Sequence, residues 1–185
     1  MRTLLRYLTP AWLAIAVALV AGPSFAESAA EVDRKATAAL DSLYKQVPEA
    51  KEFAKNAKGI LIFPNVIKGG LILGAQGGNG ALRVDGKTKG YYQTASLSIG
   101  LQAGAQAFGY AMFFQNDEAL GILDRSGGWE IGTGPNITVV NKGAATSLTS
   151  TTLKDDIYVF FFDQSGLMAG LGIQGTKVSR IEPDK

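Results

Sequence analysis

Cysteine and histidine are both absent from the 185 residues. Without histidine there is no imidazole base, no Ser-His-Asp or Cys-His pair and no imidazole metal ligand; without cysteine there is no thiolate, disulfide, zinc knuckle or iron–sulfur site. An enzyme on this chain would be confined to carboxylate, lysine, serine or tyrosine chemistry, or to an oxygen-only cation site. Charge is sparse too, at 18% of residues, whereas glycine is abundant at 23 residues. The length suits one domain with one core.

The first residues read as a leader. Arg2 and Arg6 precede an apolar run from Ala11 to Gly22 that ends in Pro23-Ser24-Phe25-Ala26, the pattern of a secretory signal peptide cleaved after Ala26. About a dozen apolar residues fall short of the roughly 20 needed to span a bilayer. The expected division is a signal peptide over 1–26 and a single domain over 27–185, periplasmic or secreted. No cysteine is present to carry an acyl anchor after the leader. Removing Arg2 and Arg6 from 18 basic residues leaves 16 against 16 acidic ones, so the remaining chain is formally neutral and gives no nucleic-acid signal. Charge is concentrated locally: Lys45, Lys51, Lys55, Lys58 and Lys68 face only Glu49 and Glu52 in the same stretch, which marks a candidate basic face.

Ser28-Ala29-Ala30-Glu31 has the spacing of a capping box, and Val32, Ala36, Leu40, Leu43 and Val47 follow at helical intervals, predicting a helix over 29–46. Pro48 opens a second helix that stops at Gly59. Short β-type runs follow at 60–63, 71–75, 81–84, 91–101 and 105–114, read as antiparallel strands of one meander, with Asn79-Gly80 and Asp85-Gly86 as turns. A short helix is predicted from Asn116 to about Leu123, strands at 129–131 and 137–140, and a strand buried on both faces through Phe160-Phe161-Phe162. The fold class is α+β: one bent, glycine-rich antiparallel sheet curving toward a barrel, with the N-terminal helices packed against it.

A weak internal echo joins Gly70-Leu71-Ile72-Leu73-Gly74-Ala75-Gln76 to Gly100-Leu101-Gln102-Ala103-Gly104-Ala105-Gln106 and to Gly166-Leu167-Met168-Ala169-Gly170. Glycines four apart share a strand face and admit sharp bending or close approach of a ligand. Other near-motifs fail on inspection. Gly86-Lys87-Thr88 ends like a phosphate loop, but Ala81 stands where a glycine is required; Ser42-Leu43-Tyr44-Lys45 lacks the partner elements of the serine–lysine enzymes. The adjacent carboxylates Asp117-Glu118 and Asp155-Asp156 diverge on any regular backbone. No catalytic residues, cofactor, metal or nucleotide site emerge.

The stretch Ala57-Lys58-Gly59-Ile60-Leu61-Ile62-Phe63-Pro64-Asn65-Val66-Ile67-Lys68-Gly69-Gly70 resembles the opening signature of the SYLF domain, the lipid-binding family also described as Las17-binding actin regulators. The likeness continues through Gly77-Gly78-Asn79-Gly80, Ser98 to Gln106, Asn116 to Leu120, Gly134-Pro135 and Ser165 to Gly170. At 91–96, Tyr91-Tyr92-Gln93-Thr94-Ala95-Ser96 departs from the tryptophan-serine and proline element frequent in the family. The resemblance implies a non-catalytic domain binding membrane phospholipids, some relatives preferring phosphoinositides and some regulating actin assembly. For an exported chain the transferable part is an anionic phospholipid surface. Lysines near such a surface contribute about 1 kcal/mol each, and an amphipathic N-terminal helix can add buried apolar area. Lys51, Lys55 and Lys58 on the second helix, with Lys68 beside it, are the candidate phosphate contacts; Lys87 and Lys89 at a hairpin form a second cluster. Two rivals stay open: an envelope protein-interaction module, and a carrier holding an acyl chain inside the glycine-lined sheet.

Overall fold

The computed structural model describes residues 27–70, 73–99, 104–140, 154–166 and 172–184. The leader and its cleavage site lie outside them, as does Gly170 of the third echo. The architecture is α+β: a curled, eight-stranded half-barrel with the two N-terminal helices on one face and a short third helix on the other. Helix α1 is Ala29–Gln46 and α2 Ala50–Asn56; strands β1 Gly59–Gly70, β2 Leu73–Val84, β3 Lys87–Ile99 and β4 Gly104–Phe114 follow. Then come α3 (Asp117–Gly121), a single 3-10 turn (Ile122–Asp124), β5 (Trp129–Glu130), β6 (Ile137–Val140), β7 (Ile157–Gly166) and β8 (Lys177–Ile181).

Helix α1 begins where the sequence predicts, because Ser28 accepts a hydrogen bond from the Glu31 amide at 3.3 Å and relieves an otherwise unpaired helix N–H. Its stripe of Val32, Ala36, Ala39 and Leu43 is wholly packed on the sheet. The interfacial role expected of an amphipathic N-terminal helix is therefore not available to it in this arrangement: its apolar face is used up inside the domain. Beside it, α2 inserts Phe53 edge-on against Tyr158 and Phe160 of β7, with ring centroids 5.0 Å from each.

Strand order is β5-β8-β3-β2-β1-β4-β7-β6. This corrects the expected meander. The strands β1, β2 and β3 are consecutive neighbours, but β4 returns to the free side of β1, the Greek-key order. Nor is the sheet wholly antiparallel, since β6 runs parallel to β7. Periodicity specifies strand faces but not partners, which is why neither feature could be read locally.

A second correction concerns Asn79-Gly80, expected as a turn. Both residues lie inside β2, paired to Gln93 and Tyr92 of β3. Here glycine serves close approach instead: a Cβ on Gly80 would sit 2.4 Å from the Ile62 carbonyl oxygen and 2.6 Å from the Phe63 ring. One on Gly78 would sit 2.4 Å from the Asn65 carbonyl oxygen. Both contacts arise at a bulge in β1 around Pro64 and Asn65, which lets that strand continue through a proline to Gly70 where the expected run ends at Phe63, while β2 spans the positions of two expected runs, 71–75 and 81–84. Asp85-Gly86 is the turn predicted, with φ of 50° and 74°.

Both sheet faces are buried. Ile62, Ala81, Ala111, Phe113, Tyr158 and Phe160 meet the helices, while Leu61, Phe63, Tyr92, Tyr110, Met112 and Val159 pack on the other side against Trp129 and Ile131. Two-sided burial explains the unbroken aromatic run of β7. On the face away from α1 and α2, Phe63, Phe108, Tyr110 and Phe161 form one contiguous ring cluster. The ends of the described chain meet, Ser28 bridging Asp184 with the Ala29 amide donating to the Asp184 carbonyl at 2.9 Å.

Candidate functional site

Between α1, α2 and the β2–β3 hairpin lies an open cleft of about 420 Å³. Its floor is apolar, built from Ala36 and Leu40 of α1, Ala54 of α2 and Ile60 and Ile62 of β1. It exists because α2 is only seven residues long and covers a small part of the sheet that α1 leaves bare. Tyr44, Arg83, Lys55, Asp41 and Asp85 provide the polar rim. A volume of a few hundred cubic ångströms with an apolar floor and a few convergent polar groups is the usual form of a small-ligand site.

The rim is electrostatically mixed. Lys51 on α2 stands 5.8 Å over the Tyr44 ring, a cation–π distance. Burial, assisted by the negative charge of Asp41, raises the Tyr44 hydroxyl above the ordinary phenol range, so it remains a neutral donor. The Lys55 ammonium lies 2.7 Å from Glu52, both side chains more than half exposed. Arg83 is anchored inward, its Nη2 donating to the Asp33 carbonyl and to Thr37 Oγ1, each at 3.1 Å. Lys87 follows Gly86 at the hairpin and is exposed. Thus Lys51 and Lys55 of the α2 cluster stand at the cleft, whereas Lys87 pairs with Val84 of β2, which packs on the sheet face away from α1 and α2, so the hairpin cluster does not join it.

The other candidates go elsewhere. Lys58 caps the start of β1 with its ammonium 4.0 Å from Asp117 of α3. Lys89 is exposed on β3, its carbonyl accepting from Arg180 Nη2 at 3.4 Å. Lys68 is not beside α2: it sits ten positions along β1 from Lys58, roughly 30 Å at the rise of an extended strand. There it pairs with Gln76 and Gln106, half-buried near the far end of the sheet. On the helix-side face at that same end, Ile67, Leu73 and Leu97 are 59, 70 and 87% exposed.

The carboxylate pairs are absorbed by the fold. Asp156 accepts from Asn116 Nδ2 at 2.7 Å and from the Asn136 amide, Asp155 accepts from Thr138, and Asp117 and Glu118 occupy the first turn of α3. Sequence reasoning missed Arg83, Tyr44 and Asp41 as cleft residues. The signal for the latter two was weak but present: Asp41 and Tyr44 lie three apart, hence on one helix face, alongside Leu40.

Residues 95–183 match the family model Ysc84, Las17-binding protein actin regulator. The matched stretch runs from the second half of β3 to the end of β8, whereas the cleft is built by the segments preceding it. No curated protein matches the chain.

Proposed function

Through residues 95–183 the chain belongs to the Ysc84 family, and from that membership we propose that it is a non-catalytic, exported module that binds anionic phospholipid headgroups at a membrane surface. The observation that carries this reading is the placement of Lys51 and Lys55 beside a cleft with an apolar floor. Two lysines at about 1 kcal/mol each give roughly a thirtyfold preference for an anionic over a neutral bilayer. The competing Lys55–Glu52 pair is exposed, and such pairs contribute at most about 1 kcal/mol, so a lipid phosphate can displace Glu52. Asp41 and Asp85 oppose the lysines and favour headgroups seated shallowly, with phosphate toward the α2 side.

The test is cosedimentation with phosphatidylcholine vesicles carrying increasing phosphatidylglycerol, at low and physiological salt. Binding that rises with anionic lipid and weakens with salt supports the reading; binding independent of lipid charge, or none, removes it. A second reading is a docking module for an envelope protein, favoured by the exposed Ile67, Leu73 and Leu97. It predicts a protein crosslink that persists when lipid is absent.

A further inference from the structure

On the sheet face opposite α1 and α2, Lys68 of β1 stands directly between Gln76 of β2 and Gln106 of β4, and Ser96 of β3 continues the row. Residues opposite one another in a ladder share a face with Cβ atoms about 5 Å apart. The row lies just past Val66 and Phe108, where the apolar layer on that face ends. Gln76 and Gln106 occupy the same final position in two copies of the internal echo, so the repeat places matching amides on either side of one lysine.

Three features mark the row as more than the polar rim of a core. Both glutamines are deeply buried, 7 and 6% exposed. Gln76 Nε2 donates to Thr176 Oγ1 at 3.3 Å, yet Gln106 Oε1 is buried with no hydrogen-bond partner among the described residues. Lys68 is half-buried, and no carboxylate among the described residues lies within ion-pair distance of its ammonium. A buried carbonyl without a donor is a costly state, and the ammonium beside it has no carboxylate partner among the described residues. One ligand serves both if it brings an oxyanion and a hydroxyl together.

We propose that the Gln76–Lys68–Gln106 row binds a small phosphate ester bearing a free hydroxyl. The phosphate oxygens take the Lys68 ammonium and the second N–H of the Gln76 amide; the hydroxyl donates to Gln106 Oε1. The site is independent of the lysines at the cleft. A glycerophosphate lipid headgroup and a soluble phosphate ester share this chemistry.

The experiment is calorimetric titration of the full chain with glycerol 1-phosphate, inorganic phosphate and glycerol, followed by vesicle binding with and without phosphatidylglycerol. Glycerol 1-phosphate binds about tenfold more tightly than inorganic phosphate, the value of one added hydrogen bond to a buried partner, and glycerol alone does not bind. Lys68→Gln weakens the ester by about tenfold or more, as loss of a charge-assisted contact requires, while Lys68→Arg retains it. Gln106→Leu abolishes the preference for the ester and keeps the affinity for inorganic phosphate. Thermal midpoints matching the wild type show that each variant is folded. Equal binding of ester and inorganic phosphate, wild-type titration by folded Lys68→Gln, or no saturable binding overturns the site. With soluble binding established, loss of phosphatidylglycerol vesicle binding in Lys68→Gln assigns the site to lipid, and unchanged vesicle binding assigns it to a free ester. The variant Lys51→Glu/Lys55→Glu leaves glycerol 1-phosphate binding intact, so failure of the cleft reading and failure of this one are read separately.

Discussion

The Asp33 carboxylate on α1 lies 3.3 Å from the Arg83 guanidinium on β2, fifty residues away in sequence, and fixes the helix to the sheet beside the cleft. It also accepts from the Thr88 hydroxyl at 2.6 Å and the Tyr91 hydroxyl at 2.9 Å. One carboxylate thus gathers three side chains from β2 and β3 beneath a single helix.

Replacing Asp33 with alanine strands those partners in a part-buried setting. Hydrogen bonds to a charged group contribute about 1.5–3 kcal/mol each before solvent screening, so a net loss of about 2–3 kcal/mol is expected for Asp33→Ala. Asp33→Asn retains acceptors for Thr88 or Tyr91 and loses less. Urea denaturation reads both; a change below about 0.5 kcal/mol in the alanine variant, the range of an ordinary surface substitution, contradicts the anchoring role.

The cleft assignment separates lysines that look equivalent in sequence. Charge reversal at Lys51 and Lys55 together is expected to reduce anionic vesicle binding by roughly thirtyfold, whereas Lys58→Glu and Lys89→Glu alone change it by a few-fold. Equal effects from the two sets would show that general surface charge, with no localised site, drives association.

Glycines divide by what stands next to them. In Gly80→Ala the new methyl meets the Ile62 carbonyl and the Phe63 ring, both fixed in the sheet, and a loss of about 1–3 kcal/mol follows. At Gly121, in the last position of α3, nothing lies within 4 Å and φ is −63°; there alanine is expected to stabilise by about 0.5–1 kcal/mol through the unfolded chain. Thermal midpoints moving in the same direction for both would refute this division.

Tyr110 is fully buried, with its hydroxyl donating to Thr94 Oγ1 at 2.7 Å. Burial pushes its ionisation far above the ordinary phenol range, outweighing the opposing effect of the Thr94 hydrogen bond. The unfolded chain therefore releases this proton first as pH rises. The contribution to stability is complete at neutral pH and declines above about pH 10, where an unfolded tyrosine ionises. In Tyr110→Phe the Thr94 hydroxyl loses its partner at a cost of about 1–2 kcal/mol, and the alkaline decline becomes shallower. A pH series of denaturation midpoints with identical alkaline slopes for the two proteins would exclude Tyr110 as its source.

What could be read beforehand was local. The Ser28 cap and the spacing from Val32 to Leu43 define α1 to the residue, and Asp85-Gly86 makes its own turn, because each depends on neighbours within four positions. Gly80 was misread because its constraint comes from the backbone of β1, some eighteen residues earlier, at a bulge that no period announces. The return of β4 to β1 and the parallel seat of β6 depend on which strands are free to pair, a property of the assembled sheet. The candidate lysines were visible as residues, but their division into cleft, α3 contact and distal row was not. That division follows from the length of β1, which carries Lys58 and Lys68 to opposite ends of the sheet.

The meeting of Ser28 with Asp184 gives the domain a single doorway. Chain entering and chain leaving pass the same point, so this unit can be spliced into a host loop, or its ends can be sutured and a new opening cut at the Asp85-Gly86 hairpin, without redrawing any strand pairing.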